Sequence, residues 1–342
     1  MAFLNNTTDK PVIGISIGDF NGIGPEIIIK TLSDNRLLKL CIPVIYGSYK
    51  VFSKYKKLFN IQEELNFFQI KSIDQLNPKK VNIINCWEED YEINPGKGSP
   101  ESGQSAFIAL EKAVNDIIKG DIDGLVTAPI DKANIKSDKF NFPGHTEYLA
   151  HKAGNKETLM MMVSETMKVG LITTHIPINE VPNKLNKEVL EKKFSILTKS
   201  LKKDFGITKP KIAVLGLNPH AGEQGLMGKE EEEIIKPFME EMRQKGHLIF
   251  GPFPADGFFG KQSYKKYDAI LAMYHDQGLT PFKALNFDSG VNFSAGLPFI
   301  RTSPDHGTAY DIAGKNIASD ESFRQAVFMA CDMVKYHRNE KV

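Results

Sequence analysis

The sequence predicts an α/β protein, with parallel sheets covered by helices, built as one large unit or two domains. Three observations predict it. Short apolar runs rich in Val, Ile and Leu alternate with amphipathic stretches along the chain. Each run is bounded by turn residues, as strands buried on both faces are. The length, 342 residues, suffices for two sizeable cores.

The elements follow in order. Val12–Ile17 reads as a first strand, and the glycine-rich turn GDFNGIGPE leads from it into EIIIKTLSD. Pro25 falls in the first helical turn, where its missing N–H would be unpaired in any residue. Ile42–Tyr46 is a second strand, Ser105–Lys119 carries apolar residues at helical spacing, and Leu125–Val126 is a third strand. Val169–Thr173, Ile212–Leu215 and Ala269–Met273 are three more, separated by the helical patterns Lys187–Leu201 and Glu230–Met242. The run KEEEEIIKP reads as the solvated acidic first turns of a helix, favoured by the helix dipole, rather than as metal ligands. No repeat, low-complexity linker or coiled-coil heptad interrupts the pattern, and composition marks no domain boundary.

Composition excludes several function classes. Lys and Arg number 43 against 42 Asp and Glu, a formal charge of +1, without the basic excess of nucleic-acid binders. Cys41, Cys86 and Cys331 show no CxxC spacing and read as buried thiols of a reducing compartment. MAFLNNTTDK lacks a secretory pattern and no apolar run matches a membrane span, so a cytoplasmic enzyme is expected. Arginine occurs only at Arg36, Arg243, Arg301, Arg324 and Arg338, so one inside a motif is a candidate for its planar fork.

Three histidines each follow a strand-like run: VGLITTH (His175), IAVLGLNPH (His220) and AILAMYH (His275). Ligands of open α/β sheets bind beyond the carboxyl ends of the strands. Three imidazoles there would suit a divalent ion and leave positions open for substrate. In YHDQGLTPFK, Asp276 either orients an imidazole or caps the following helix, and Lys283 lies close by. FPGHTEYLA puts His145 and Thr146 at a helix start, an anion site or an ordinary cap. Arg301 follows an apolar run where its fork could clamp a phosphate or carboxylate. PDHGTAYDIAGKNIA is a functional loop with Gly307, Gly314, His306, Asp305 and Asp311.

Taken together, SIGDFNGIGPEI, GHTEYLA, LITTHIP, LNPHAGEQGLMG, MYHDQGLTPFK and GVNFSAGLPFIRTSPDHGTAYDIAG resemble the 4-hydroxythreonine-4-phosphate dehydrogenases of pyridoxal phosphate biosynthesis, in order along nearly the whole chain. The last block also resembles the cofactor loop of isopropylmalate and isocitrate dehydrogenases. These likenesses imply two α/β/α domains with a cleft between them, isopropylmalate dehydrogenase-like: an outer domain of residues 1–130 and 300–342 and an inner domain of 131–299. They imply one divalent metal (zinc, magnesium or cobalt) on His175, His220 and His275, and substrate on His145, Thr146, Lys283, Asn292 and Arg301. His306, Gly307 and Asp311 would line the adenosine side of NAD or NADP. Homodimers with a shared active site are implied as well. Two positions depart from the likeness. Phe20 replaces a family proline and should loosen or reshape the first loop, and Tyr310 stands where the decarboxylating dehydrogenases have proline.

The implied reaction oxidises 4-phosphohydroxy-L-threonine to a 3-oxo acid that loses CO2, giving 3-amino-2-oxopropyl phosphate. Asp256 and Asp276 are the candidate general bases. A paralogous dehydrogenase for threonate or erythronate phosphate is the alternative, with a phosphate acyltransferase behind it.

Overall fold

The computed structural model describes residues 9–61 and 65–339; the residues 1–8, part of the stretch inspected for a signal sequence, lie outside that range. The chain divides into two α/β units, Met1–Lys156 with Leu297–Lys335, and Glu157–Gly296 with Tyr336–Val342. The segment 131–156, assigned above to an inner domain, belongs to the first unit. Aromatic packing places it there: Phe140 and Tyr148 pack against each other and edge-on to Phe107 of the helix Pro100–Lys119.

In the first unit β1 (Val12–Ser16), β2 (Ile42–Gly47), β3 (Phe67–Ile70), β4 (Val81–Asn85) and β5 (Gly124–Thr127) form a parallel sheet. In the second, β6 (Leu159–Val163), β7 (Lys168–Leu171), β8 (Lys211–Leu215), β9 (Leu248–Phe253), β10 (Ala269–Ala272) and β11 (Val291–Ala295) pair in a mixed parallel and antiparallel order. β12 (Ile300–Pro304) returns to the first, whose order is β3-β4-β2-β1-β5-β12. Every residue of β1, β2 and β5 is buried, which is why these strands read as unbroken apolar runs. The helix Pro100–Lys119 begins on a reciprocal Ser99–Ser102 capping box and stops at Gly120, whose φ of 82° is the left-handed cap that glycine adopts without steric cost.

The second sheet, β11-β6-β7-β10-β8-β9, corrects the expectation of parallel pairing throughout. β6 pairs antiparallel with both β7 and β11. Only Ser164–Met167 separates β6 from β7, so a crossover has no room and a hairpin is the available connection. Met162, Val169, Leu171, Ala213, Leu215, Ile270, Leu279 and Phe282 form its core. Cys41 and Cys331 are buried and Cys86 is half-buried, all free thiols. Among the described residues no helix is long and apolar enough to cross a membrane.

Candidate functional site

The strand ends of the second unit carry the three histidines. His275 opens the helix His275–Asn286 three residues after β10, and His175 lies four residues after β7. Thr173 binds the two strand ends together: its N–H and its hydroxyl both donate to the Met273 carbonyl, at 3.2 and 2.7 Å. The two imidazoles lie with ring centres 6.0 Å apart, beside a cavity of about 270 Å³ that Asp276, Tyr274, Ile178 and Val181 also line. His275 Nδ1 donates to Asp276 Oδ1 at 2.7 Å, which leaves the Nε2 lone pair available to a cation. The helix has no side-chain cap, so of its two readings Asp276 takes the orienting one. This donor chemistry fits a divalent ion.

His220 is placed differently. It is itself exposed and starts a run of left-handed residues, His220 to Gln224, with φ between 41° and 79° and Gly222 buried within it. Among the described residues no three His, Cys, Asp or Glu side chains group closely enough to hold a metal, so within one chain two of the three imidazoles come together and His220 stands apart.

Glu231 holds the start of that run. The Asn218 N–H donates to Glu231 Oε1 at 2.8 Å and Asn218 Nδ2 donates to Oε2 at 3.0 Å. The carboxylate sits so close to Gly222 that a Cβ there would come within 2.5 Å of it. Glu231 is fully buried and begins a short π-helical turn, so the acidic run is not solvated throughout, as its composition had suggested. Its spacing to Ile235 and Phe238, both buried, was the available signal. Gln277 is a second tie that the sequence reading missed. It accepts from the Met273 N–H at 2.8 Å and donates to the Gly216 carbonyl at 2.6 Å, linking the ends of β10 and β8.

Among the other second-unit candidates, Lys283 lies half-buried on the His275–Asn286 helix. Asn292 lies on β11 with its Oδ1 buried and without a hydrogen-bond partner. Asp256 is exposed in the first turn of the short helix Ala255–Gly260.

In the first unit, Arg301 on β12 is 2% exposed and donates through Nε and Nη2 to Thr127 Oγ1, at 3.2 and 2.6 Å. Burial draws its pKa down to about 10, against the opposing pull of Glu147. His145 begins the helix His145–Lys152, with Thr146 following. Its Nε2 is buried without a partner, and its pKa falls well below the usual value, first through burial and then through the charges of Arg301 and Lys132. The imidazole is therefore neutral beside two cations, at a helix N-terminus: an arrangement suited to an oxyanion. Thr127 and Lys132 follow the same strand-end logic as the histidines and went unread because no motif framed them.

The loop of His306, Gly307 and Asp311 is tied to the first glycine loop. The Ile23 N–H donates to the Thr308 carbonyl at 3.0 Å, and a Cβ on Gly22 would lie 2.9 Å from that same oxygen. Tyr310 donates its hydroxyl to the buried Asp19 at 2.9 Å, a carboxylate that also accepts from Ser102. Tyr310 thus pins the loop, while Gly307 and Asp311 stay exposed on it. An exposed carboxylate on a fixed loop is suited to a ribose hydroxyl, and in that respect the residues fit a nicotinamide cofactor. Phe20 packs its turn into the core of the first unit. Its ring is fully buried, stacks on Tyr91 and lies 6.4 Å from Trp87, while Asn21 beside it accepts from the Asn94 N–H.

Two α/β units with cation-rich and imidazole-bearing strand ends define the class, an α/β protein equipped for small anionic ligands. The chain belongs to the family described as "Pyridoxal phosphate biosynthetic protein PdxA", whose model matches residues 39–330. It is 49% identical to a 4-hydroxythreonine-4-phosphate dehydrogenase of Bacteroides thetaiotaomicron, over 97% of this chain and 91% of that protein. A protein of Oceanobacillus iheyensis, provisionally named a D-threonate 4-phosphate dehydrogenase, is 38% identical, covering 95% of this chain and 98% of its own. The crystal structure of a 4-hydroxythreonine-4-phosphate dehydrogenase from Klebsiella pneumoniae superposes with a TM-score of 0.84 at 36% identity, over 96% of this chain and 99% of that one.

Proposed function

We propose that the chain is a metal- and NAD(P)-dependent dehydrogenase acting on 4-phosphohydroxy-L-threonine, giving a 3-oxo acid that loses CO2 to yield 3-amino-2-oxopropyl phosphate in pyridoxal phosphate biosynthesis. The observation that carries it is the 49% identity, over 97% of the chain, to a relative named for this reaction. The buried Arg301, whose charge acts on His145, supplies what a phosphorylated substrate requires.

Arg301, His145 and Thr146 bind oxyanions of the substrate. Neutral His145 donates one hydrogen bond through a nitrogen that has no other partner, and Arg301 supplies charge in a water-poor setting. Lys283 and Asn292 orient the remaining polar groups, Asn292 through its buried Oδ1. His175 and His275 hold the metal, with His275 fixed by Asp276, and His220 completes the set from a second copy of the chain in a cytoplasmic homodimer. A divalent ion held there would supply a lower pKa for a substrate hydroxyl and charge stabilisation for CO2 loss, and a nicotinamide would supply the hydride acceptor. Asp276 acts through His275 as a positioning residue, which leaves exposed Asp256 as the candidate base. His306, Gly307 and Asp311 hold the adenosine side of the cofactor on the loop that Tyr310 pins.

The similarity to the Oceanobacillus protein favours a second reading, oxidation of a threonate phosphate. A panel of 4-phosphohydroxy-L-threonine, D-threonate 4-phosphate and D-erythronate 4-phosphate, each with NAD and with NADP, decides between them. The first substrate should give the highest kcat/KM. A higher value for either sugar-acid phosphate would replace the first reading with the second.

A further inference from the structure

We propose that the unit Glu157–Gly296 carries a separate small-molecule site along the helix Lys187–Lys203, built for an organic oxyanion: a flat apolar body bearing a phosphate or carboxylate. A cavity of about 480 Å³ opens there, within the range of small-molecule sites. Ser195, Thr198, Lys199 and Lys202 line it from positions i, i+3, i+4 and i+7 of the helix, one continuous face. Phe194 and Met242, both buried, give it an apolar floor, and the His247 ring stands edge-on to Phe194 at 5.1 Å. A flat ring has a surface to lie on.

Two features point to a ligand with negative charge and hydrogen-bond capacity. The Thr198 side chain is 5% exposed, yet its Oγ1 is buried with no hydrogen-bond partner. A helical threonine ordinarily satisfies its hydroxyl on a carbonyl one turn back, and this one does not. Lys199 and Lys202 make no ion pair among the described residues, whereas Lys245 at the opposite wall bonds Glu241 at 2.6 Å. The one acid lining the cavity, Glu191, faces Lys187 at 3.7 Å. The cations converge on His247, whose pKa is lowered by burial and then by the charges of Lys202 and Lys245. The dipoles of the two helices account for lysines at their C-terminal ends, Lys202 and Lys245. They account neither for Lys199, a turn further in, nor for the Thr198 hydroxyl.

The test follows the histidine ring resonances of the full-length protein by NMR, with His247 assigned through H247Q. Phenyl phosphate, benzoate and inorganic phosphate are titrated separately. Phenyl phosphate or benzoate should move the His247 resonance and raise its pKa, the tighter of the two naming the head group, with inorganic phosphate weaker for lack of the ring. K199A/K202A should weaken that binding about tenfold or more while leaving the unfolding midpoint of the free protein unaltered, since both residues are exposed. T198V should weaken binding and raise the midpoint, because it removes the unpaired hydroxyl. A His247 signal indifferent to both organic anions, or affinity unchanged in K199A/K202A, overturns the proposal.

Discussion

His145 couples the stability of the first unit to pH. Burial and the neighbouring Arg301 and Lys132 lower its pKa in the folded chain, so between that value and the ordinary value near 6.5 the unfolded chain binds a proton that the folded chain does not. Stability from this residue is therefore fully present above about pH 6.5 and is lost as pH falls toward the folded value. H145Q should flatten the acid side of a urea-midpoint profile. Equal slopes in wild type and H145Q would remove the depressed pKa from the account. At this scale the sequence was legible wherever a residue type is rare: histidines after strands, and an arginine among lysines. Lys132 and Glu231 were hidden because lysine and glutamate are common here: burial singles out Glu231, and only its charge beside His145 singles out Lys132.

The segment Asn218–Gly228 is the least relaxed element among the strand ends. His220, Ala221, Glu223 and Gln224 all have positive φ, a conformation costing roughly 1–2 kcal/mol for each residue with a Cβ. Something must offset that cost, and the buried Glu231 carboxylate gripping Asn218 does so. Glu231→Gln replaces one acceptor oxygen with a donor, leaving an Asn218 N–H unmet at about 1–3 kcal/mol. The expected outcome is a urea midpoint lowered accordingly and faster protease cleavage within 218–228. A variant with both properties unchanged would show that the loop holds itself. Whole elements were legible where burial on both faces makes a run continuous, as in β1, β2, β8 and β10. β6, LMMMV, offers no β-branched residue until its last position. β9 contains Gly251–Pro252, and β12 reads IRTSP, polar in sequence though fully buried. In those strands tertiary context overrides local preference.

For the molecule as a whole, the family was legible from ordered blocks along the chain, and the α/β class from alternation alone. The pairing directions of the second sheet were not, because a hairpin and a crossover differ only in the few residues between strands. Nor was the separation of His220 from His175 and His275, since equivalent positions after strands do not fix where loops carry their side chains. The proposed function, in which a second copy supplies His220, requires activity to depend on assembly as well as on metal. Sedimentation of the apo and metal-loaded protein should show a dimer in the active form, and an active monomer would contradict the shared site.

The most direct measurement is mass balance in a single reaction: reduced nicotinamide and CO2 formed from 4-phosphohydroxy-L-threonine, for wild type, chelator-treated wild type and H220A. Oxidation followed by decarboxylation predicts equimolar reduced cofactor and CO2 in the wild type, loss of both on chelation with recovery when the metal is returned, and loss of both in folded H220A. Unimpaired turnover with chelator present, or full activity in H220A, would contradict a metal-centred dehydrogenase.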